Sequence, residues 1–110
     1  MPFSVLMTDD AAQDIYEIYE YIATHDGPQK ANKALDHIEK NLISLSDFPD
    51  RCPHPEKLLA LGIREYREIF FEPYRIRITY RLIGENVYMM LICNGRRDMQ
   101  SLLQRRLLGG

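Results

Sequence analysis

The sequence predicts an α+β domain: a helical hairpin packed on one face of a small, mainly antiparallel sheet, in the order β-α-α-β-β-β-(α). Three observations predict it. Apolar residues recur at helical spacing from position 11 to position 45. After Gly62 the apolar period drops to two, the spacing of strands. Between the two helical stripes stands Gly27-Pro28, a stop followed by a start, with room only for a tight connection. The 110 residues are enough for one core and are read as one domain, residues 1–110.

Each element follows from local chemistry. Residues 2–7 (PFSVLM) are short, apolar and β-prone, which predicts a buried first strand. Thr8 or Asp9 supplies an N-cap, and Asp10 and Asp14 fall in or near the first turn, where the helix dipole favours anions. Ala11, Ile15, Ile18 and Ile22 then form one helical stripe, flanked by Tyr16, Tyr19 and Tyr21. The second helix covers residues 28–48, with the stripe Ala31, Leu35, Ile38, Leu42 and Leu45, and Pro49 ends it. A connection this short makes the two helices an antiparallel hairpin.

Residues 49–62 contain three prolines and read mostly as loop. Strands are expected over residues 63–71 and 74–83, joined by a turn at Glu72-Pro73. The second of these alternates Tyr74, Ile76, Ile78, Tyr80 and Leu82 against Arg75, Arg77, Thr79 and Arg81. Gly84-Glu85-Asn86 makes a hairpin turn into residues 87–93 (VYMMLIC), which are apolar on both faces and therefore central in the sheet. Residues 99–108 form a last short helix with Leu102, Leu103 and Leu107 facing in.

Charge is unevenly placed. Residues 1–61 hold five Lys and Arg against eleven Asp and Glu, a net −6; residues 62–110 hold nine, all arginine, against five, a net +4. The arginine-rich half suits a partner bearing phosphates or carboxylates, which guanidinium groups bind in bidentate fashion. The overall acidity, with a pI of about 5.9, argues against general nucleic-acid binding. Arg75, Arg77 and Arg81 share a strand face, and only one of Arg64 and Arg67 can join them. Left uncovered, this face is a docking surface; paired across strands with Glu65, Glu68 or Glu72, it is an ordinary solvated one. At the end of the last strand, Asn94-Gly95 makes a tight bend and Asp98 caps the following helix; Arg96 and Arg97 either extend the basic face, or one of them pairs with Asp98 or a helix carboxylate.

Other chemistries find no support in the pattern. Cys52 and His54 are close, but His25, His37 and Cys93 lie elsewhere and no metal-ligand spacing appears. No nucleophile elbow or glycine-rich phosphate loop is present, and no cofactor is expected. Two cysteines, no signal sequence and no apolar run near roughly 18 residues predict a soluble cytoplasmic protein with no membrane partner.

Three phrases together resemble the ParE/RelE family of bacterial type II toxins. They are DIYEIYEYIA at residues 14–23, GIREYREIFFEPYRIRITYRLI at residues 62–83 and NGRRDMQSLLQRRLL at residues 94–108. The resemblance covers nearly the whole chain. It implies a cognate ParD-like antitoxin that wraps the toxin, with Tyr16, Tyr19, Phe70 and Phe71 as apolar participants, and a role in plasmid stabilization. It also implies one of two activities. ParE-like members bind and poison DNA gyrase; here Arg75, Arg77, Arg81, Arg96 and Arg97 would contact the target, with no catalytic residue and no direct sequence-specific nucleic-acid binding. RelE-like members cleave mRNA on the ribosome; Arg75, Arg81 and Arg96 would surround the scissile phosphate, with Glu65 or Glu68 as a base. A non-toxic family member is the third possibility. The chain departs from the nuclease pattern: after Tyr88 it has no His, Tyr or Trp, Asn94 stands where many relatives, ParE-like ones included, have histidine, and the last lysine is Lys57. RNA cleavage needs a proton donor beside its arginines, so these departures favour the ParE-like branch.

Overall fold

A computed structural model of the chain describes residues 3–72, 75–94 and 106, the side chains of Lys57 and Asn94 excepted. The elements are β1 (Ser4–Met7), α1 (Asp9–Asp26), α2 (Pro28–Asp47), α3 (Glu56–Ala60), β2 (Tyr66–Phe71), β3 (Ile76–Ile83) and β4 (Asn86–Asn94). The strands form one sheet in the order β1-β4-β3-β2. β1 runs parallel to β4, and the other two pairings are antiparallel. The α+β architecture and the order β-α-α-β-β-β are as the sequence predicts.

Capping sets the helical hairpin. The Thr8 side chain accepts from the Ala11 N–H at 3.1 Å and starts α1. Its hydroxyl donates to the Met89 carbonyl at 3.1 Å, so the same residue ties the helix to β4. Gly27 has φ +100°, a conformation that costs an L side chain strain, and there it closes α1 and opens α2 before Pro28. The hairpin buries Ile18, Ile22, Ala31, Ala34, Ile38 and Leu45 against Ile76, Ile78, Tyr80, Val87, Met89 and Ile92.

β4 is apolar on both faces because it serves two cores. Thr79 lies opposite Leu91 and Tyr80 opposite Met89, so Met90 is an extra residue, a bulge. The bulge changes the phase of the strand. Ile92 joins the helix-side core, while Leu91 and Cys93 face the other way into a second cluster with Leu58 and Tyr66.

Four expectations change. Residues 49–62 are not all loop: Leu58 of α3 is buried against the sheet face opposite the hairpin. β2 begins at Tyr66, after a turn and bend that leave α3. β1 begins at Ser4 and is an edge strand rather than a buried one; only Val5 is half-buried, because β4 alone flanks it. β3 begins at Ile76, and Arg75 sits in the turn before it with φ +55°. The expected last helix lies outside the described residues except for Arg106, which is helical.

The proline-rich segment before α3 covers the outer edge of β2. The Glu68 N–H donates to the Pro53 carbonyl at 2.9 Å, His54 Nδ1 donates to the Tyr66 carbonyl at 2.8 Å, and Arg67 Nη1 donates to the Cys52 carbonyl at 2.6 Å. The buried Tyr80 hydroxyl donates to the Pro49 carbonyl. Burial, with the Cys52 thiol beside it, pushes the Tyr80 phenol well above its ordinary pKa, so it stays a neutral donor. No helix among the described residues is long and apolar enough to cross a membrane.

Candidate functional site

The sheet face away from the hairpin carries the predicted arginines in three cross-strand rows. Residues directly opposite in a sheet share a face and bring their side chains together. The first row is Phe70, Arg77 and Cys93; the second is Glu68, Thr79 and Leu91; the third is Tyr66, Arg81 and Tyr88. Alternation along β3 places Arg77 and Arg81 together, as expected. It does not add Arg67, whose partner Tyr80 faces the hairpin. Arg64 is exposed in the segment before β2, and Arg75 is exposed in its turn.

This face is less open and less basic than the sequence suggests. α3 lies over its middle, where Thr79 and Leu91 are buried. Arg77 is engaged twice: its Nη1 lies 3.6 Å from Glu68 Oε1, and its guanidinium stands 5.2 Å from the centre of the Phe70 ring. Arg81 is half-buried between two tyrosines. Arg96 and Arg97, the other two arginines of the predicted target surface, lie outside the described residues.

Glu68 is the titratable group beneath this surface. Its side chain is 16% exposed, and Oε2 is buried with no hydrogen-bond partner among the described residues. Burial raises its pKa from the ordinary value; Arg77 opposes the shift and Glu56 adds to it. The folded state therefore holds the Glu68 proton more tightly than the unfolded chain does. Stability from that proton is present below the unfolded pKa near 4.5 and is lost as pH rises through the folded value. Glu68→Gln is expected to change stability by less than about 1 kcal/mol near neutrality, because an exchanged ion pair of this kind is weak. The Gln variant should gain on the wild type as pH rises from about 4 to 7. Urea titrations at both pH values check this: a difference that is flat in pH, or that shrinks, contradicts it.

The four aromatic residues expected to meet an antitoxin do not form one patch. Phe70 is exposed on the arginine face, whereas Phe71 faces the hairpin and stacks on His37 with ring centres 6.1 Å apart. Tyr16 is 60% exposed on α1, and Tyr19 packs against the main core. The expected Cys52 and His54 neighbours are loop residues that bond or lie near β2, and no group of three metal-ligating side chains occurs among the described residues.

One constellation escaped the sequence reading. Asp14 is 7% exposed, not a surface residue of the first turn. Its carboxylate accepts from Arg106 twice, Nη1 to Oδ2 at 2.6 Å and Nη2 to Oδ1 at 3.2 Å. Oδ2 also accepts from the Ile92 N–H at 2.9 Å, and Arg106 Nη1 donates to the Met90 carbonyl at 3.1 Å. β1 pairs with β4 only as far as Met89. Beyond it, Asp14 and Arg106 occupy backbone groups of β4 that a longer β1 would have used. The signal was available: Ala11, Asp14, Ile18 and Ile22 are themselves at helical spacing, so position 14 lies on the buried stripe.

Comparison with known proteins follows the same lines. A family model described as the ParE toxin of the type II toxin–antitoxin system parDE matches residues 5–99. Toxin ParE3 of Caulobacter vibrioides is 26% identical over 102 residues, covering 93% of this chain and 96% of the relative. A chain of the chromosomal ParDE system from P. aeruginosa superposes with a TM-score of 0.72 at 22% identity, covering 86% of this chain and 97% of its own length. A free-state mutant of the E. coli toxin RelE superposes with a TM-score of 0.62 at 13% identity, covering 98% of this chain and all of its own. At such identities the two structural matches speak to the fold.

Proposed function

The chain belongs to the ParE toxin family of type II toxin–antitoxin systems, and from that premise we propose that it inhibits DNA gyrase by binding it and is neutralised by a ParD-like antitoxin. The observation that carries this reading is the family match over residues 5–99, which spans the hairpin and the whole sheet. The sheet face supports binding over catalysis. Among the described residues, its least exposed carboxylate, Glu68, is engaged by Arg77 and lies on the face that α3 covers, one row from Arg81. General acid–base cleavage of RNA needs a titrating group within hydrogen-bond reach of the scissile phosphate, so the covered face favours a gyrase inhibitor over a ribosome-dependent nuclease. Action on gyrase places the protein in the cytoplasm.

The test is gyrase supercoiling with purified protein titrated in, and a gyrase-free control. Loss of supercoiling with accumulation of cleaved DNA is the expected result. An unaffected enzyme at large excess of folded protein would overturn the reading. The arginine assignments have their own measurement. Arg96→Ala with Arg97→Ala is expected to reduce toxicity at least tenfold with no change in far-UV circular dichroism, since a truncated charge contact at an interface costs about 1.4 kcal/mol or more. Undiminished growth arrest by the folded double variant would remove both residues from the target surface.

A further inference from the structure

Most arginines described in the structure are satisfied within the chain. Arg51 stacks on Phe48, Arg67 holds the Cys52 carbonyl, Arg77 holds Glu68 and Phe70, and Arg106 holds Asp14. Arg64, Arg75 and Arg81 have no acceptor among the described residues. Arg64 and Arg75 are exposed, and water solvates them. Arg81 is different. It is half-buried in the Tyr66–Arg81–Tyr88 row, where no carboxylate among the described residues pairs with it; Glu68, one row away, is engaged by Arg77. A cation partly removed from water and left without an acceptor is an incomplete interaction, and an arriving anion completes it.

Tyr88 adds a second donor in the same row. Its hydroxyl oxygen accepts weakly from Asn86 Nδ2 at 3.5 Å, which leaves the hydroxyl proton free to donate. Next to Arg81 on the same face, two residues along β3, Ile83 is 46% exposed. Guanidinium, phenol O–H and an exposed aliphatic side chain thus lie together at the hairpin end of β3 and β4.

We propose that Arg81 and Tyr88 receive a single carboxylate, presented by an acidic residue beside an apolar one in an extended segment of the antitoxin. Two observations select a carboxylate over a phosphodiester chain. The neighbouring row holds the carboxyl group of Glu68, so a polyanion tracking along the face meets like charge one row from Arg81. Arg77, the next cation on β3, is already paired. One carboxylate fits the half-buried guanidinium of Arg81, and an apolar neighbour in the peptide covers Ile83. The proposal rests on the antitoxin reading for the source of the peptide and is independent of the gyrase target.

The experiment follows the arginine Nε–Hε resonances of the ¹⁵N-labelled full chain by NMR. Three probes are titrated: acetyl-Leu-Glu-Leu-amide, its Gln counterpart, and inorganic phosphate. The Glu peptide is expected to shift Arg81 saturably, with the Arg77 resonance as an internal reference that moves less. The Gln peptide should bind roughly tenfold more weakly, the scale of a lost charge-assisted hydrogen bond. Arg81→Lys keeps the charge but loses the planar fork, and Tyr88→Phe loses only the hydroxyl; each should weaken the Glu peptide severalfold while the amide spectrum stays folded. Equal binding of the Gln peptide, a response to phosphate at lower concentration than to the Glu peptide, or no movement of Arg81 at saturating peptide each overturns the proposal. The titration contains neither gyrase nor antitoxin, so its failure leaves the supercoiling test standing, and a failed supercoiling test leaves this one standing.

Discussion

Asp14→Ala is expected to lower the free energy of unfolding by about 3–5 kcal/mol, the range found when one member of a buried ion pair is removed. Three interactions end at this carboxylate: both Nη atoms of Arg106 and the Ile92 N–H. Alanine removes that acceptor from all three donors; Arg106 Nη1 keeps the Met90 carbonyl, but the Ile92 amide is inside the core cluster where water does not replace the carboxylate. Asp14→Asn separates the contributions. An amide oxygen still accepts from Ile92, but the charge facing Arg106 is gone, so its loss should be smaller than that of alanine. Arg106→Ala should fall between zero and the Asp14→Ala loss, because Asp14 then keeps the Ile92 bond. Urea denaturation of the four proteins under one set of conditions gives the order. A loss below about 1 kcal/mol for Asp14→Ala would mean that the pair behaves as an exposed surface ion pair.

Tyr80→Ala is expected to be comparably damaging, at about 3–5 kcal/mol, the usual cost of deleting a large buried aromatic side chain. Tyr80 is fully buried at the centre of β3, between Arg67 of β2 and Met89 of β4. Its ring packs beneath the hairpin, and its hydroxyl holds the Pro49 carbonyl at the point where α2 ends. Tyr80→Phe keeps the ring and removes only the donor. It should cost about 1–3 kcal/mol, the penalty for a buried carbonyl left without its partner. If the phenylalanine variant matches the wild type, the hydroxyl contributes nothing net, and the segment after α2 is held by the Glu68, His54 and Arg67 bonds alone. Thermal unfolding by differential scanning calorimetry resolves losses of either size.

The helices and β3 were legible because their patterns are periodic and their boundaries carry chemistry. The Ile18, Ile22, Ile38 and Leu45 stripe needs only spacing, and Gly27 with Pro28 needs only backbone rules. The toxin family was legible from three phrases and their order. What stayed hidden depends on partners distant in sequence. Asp14 is a polar residue in an apolar stripe, and only Arg106 and the uncovered edge of β4 explain it. The bulge at Met90 leaves no mark in an apolar run, yet it decides which side of the sheet Ile92 and Cys93 serve. The proline content of residues 49–62 concealed α3, because Pro49, Pro53 and Pro55 dominate a local reading of a five-residue helix, whereas burial of Leu58 settles the matter in the fold. Covering of the arginine face follows from that helix, so the pairing of Arg77 with Glu68 could be anticipated and the isolation of Arg81 could not.

The parallel pairing of β1 with β4 joins the two ends of the chain. The Thr8 side chain bonds a carbonyl 81 residues away, so the first strand made has no partner until nearly the last one is made. At about 5–20 residues per second, translation needs roughly 4–16 s to bridge that interval. During it the hairpin is already synthesised and can form locally, but the sheet that it covers is not. The sheet face is therefore a property of the finished polypeptide: an mRNA truncated before the codons of β4, or a ribosome stalled there, yields helices with no sheet to cover.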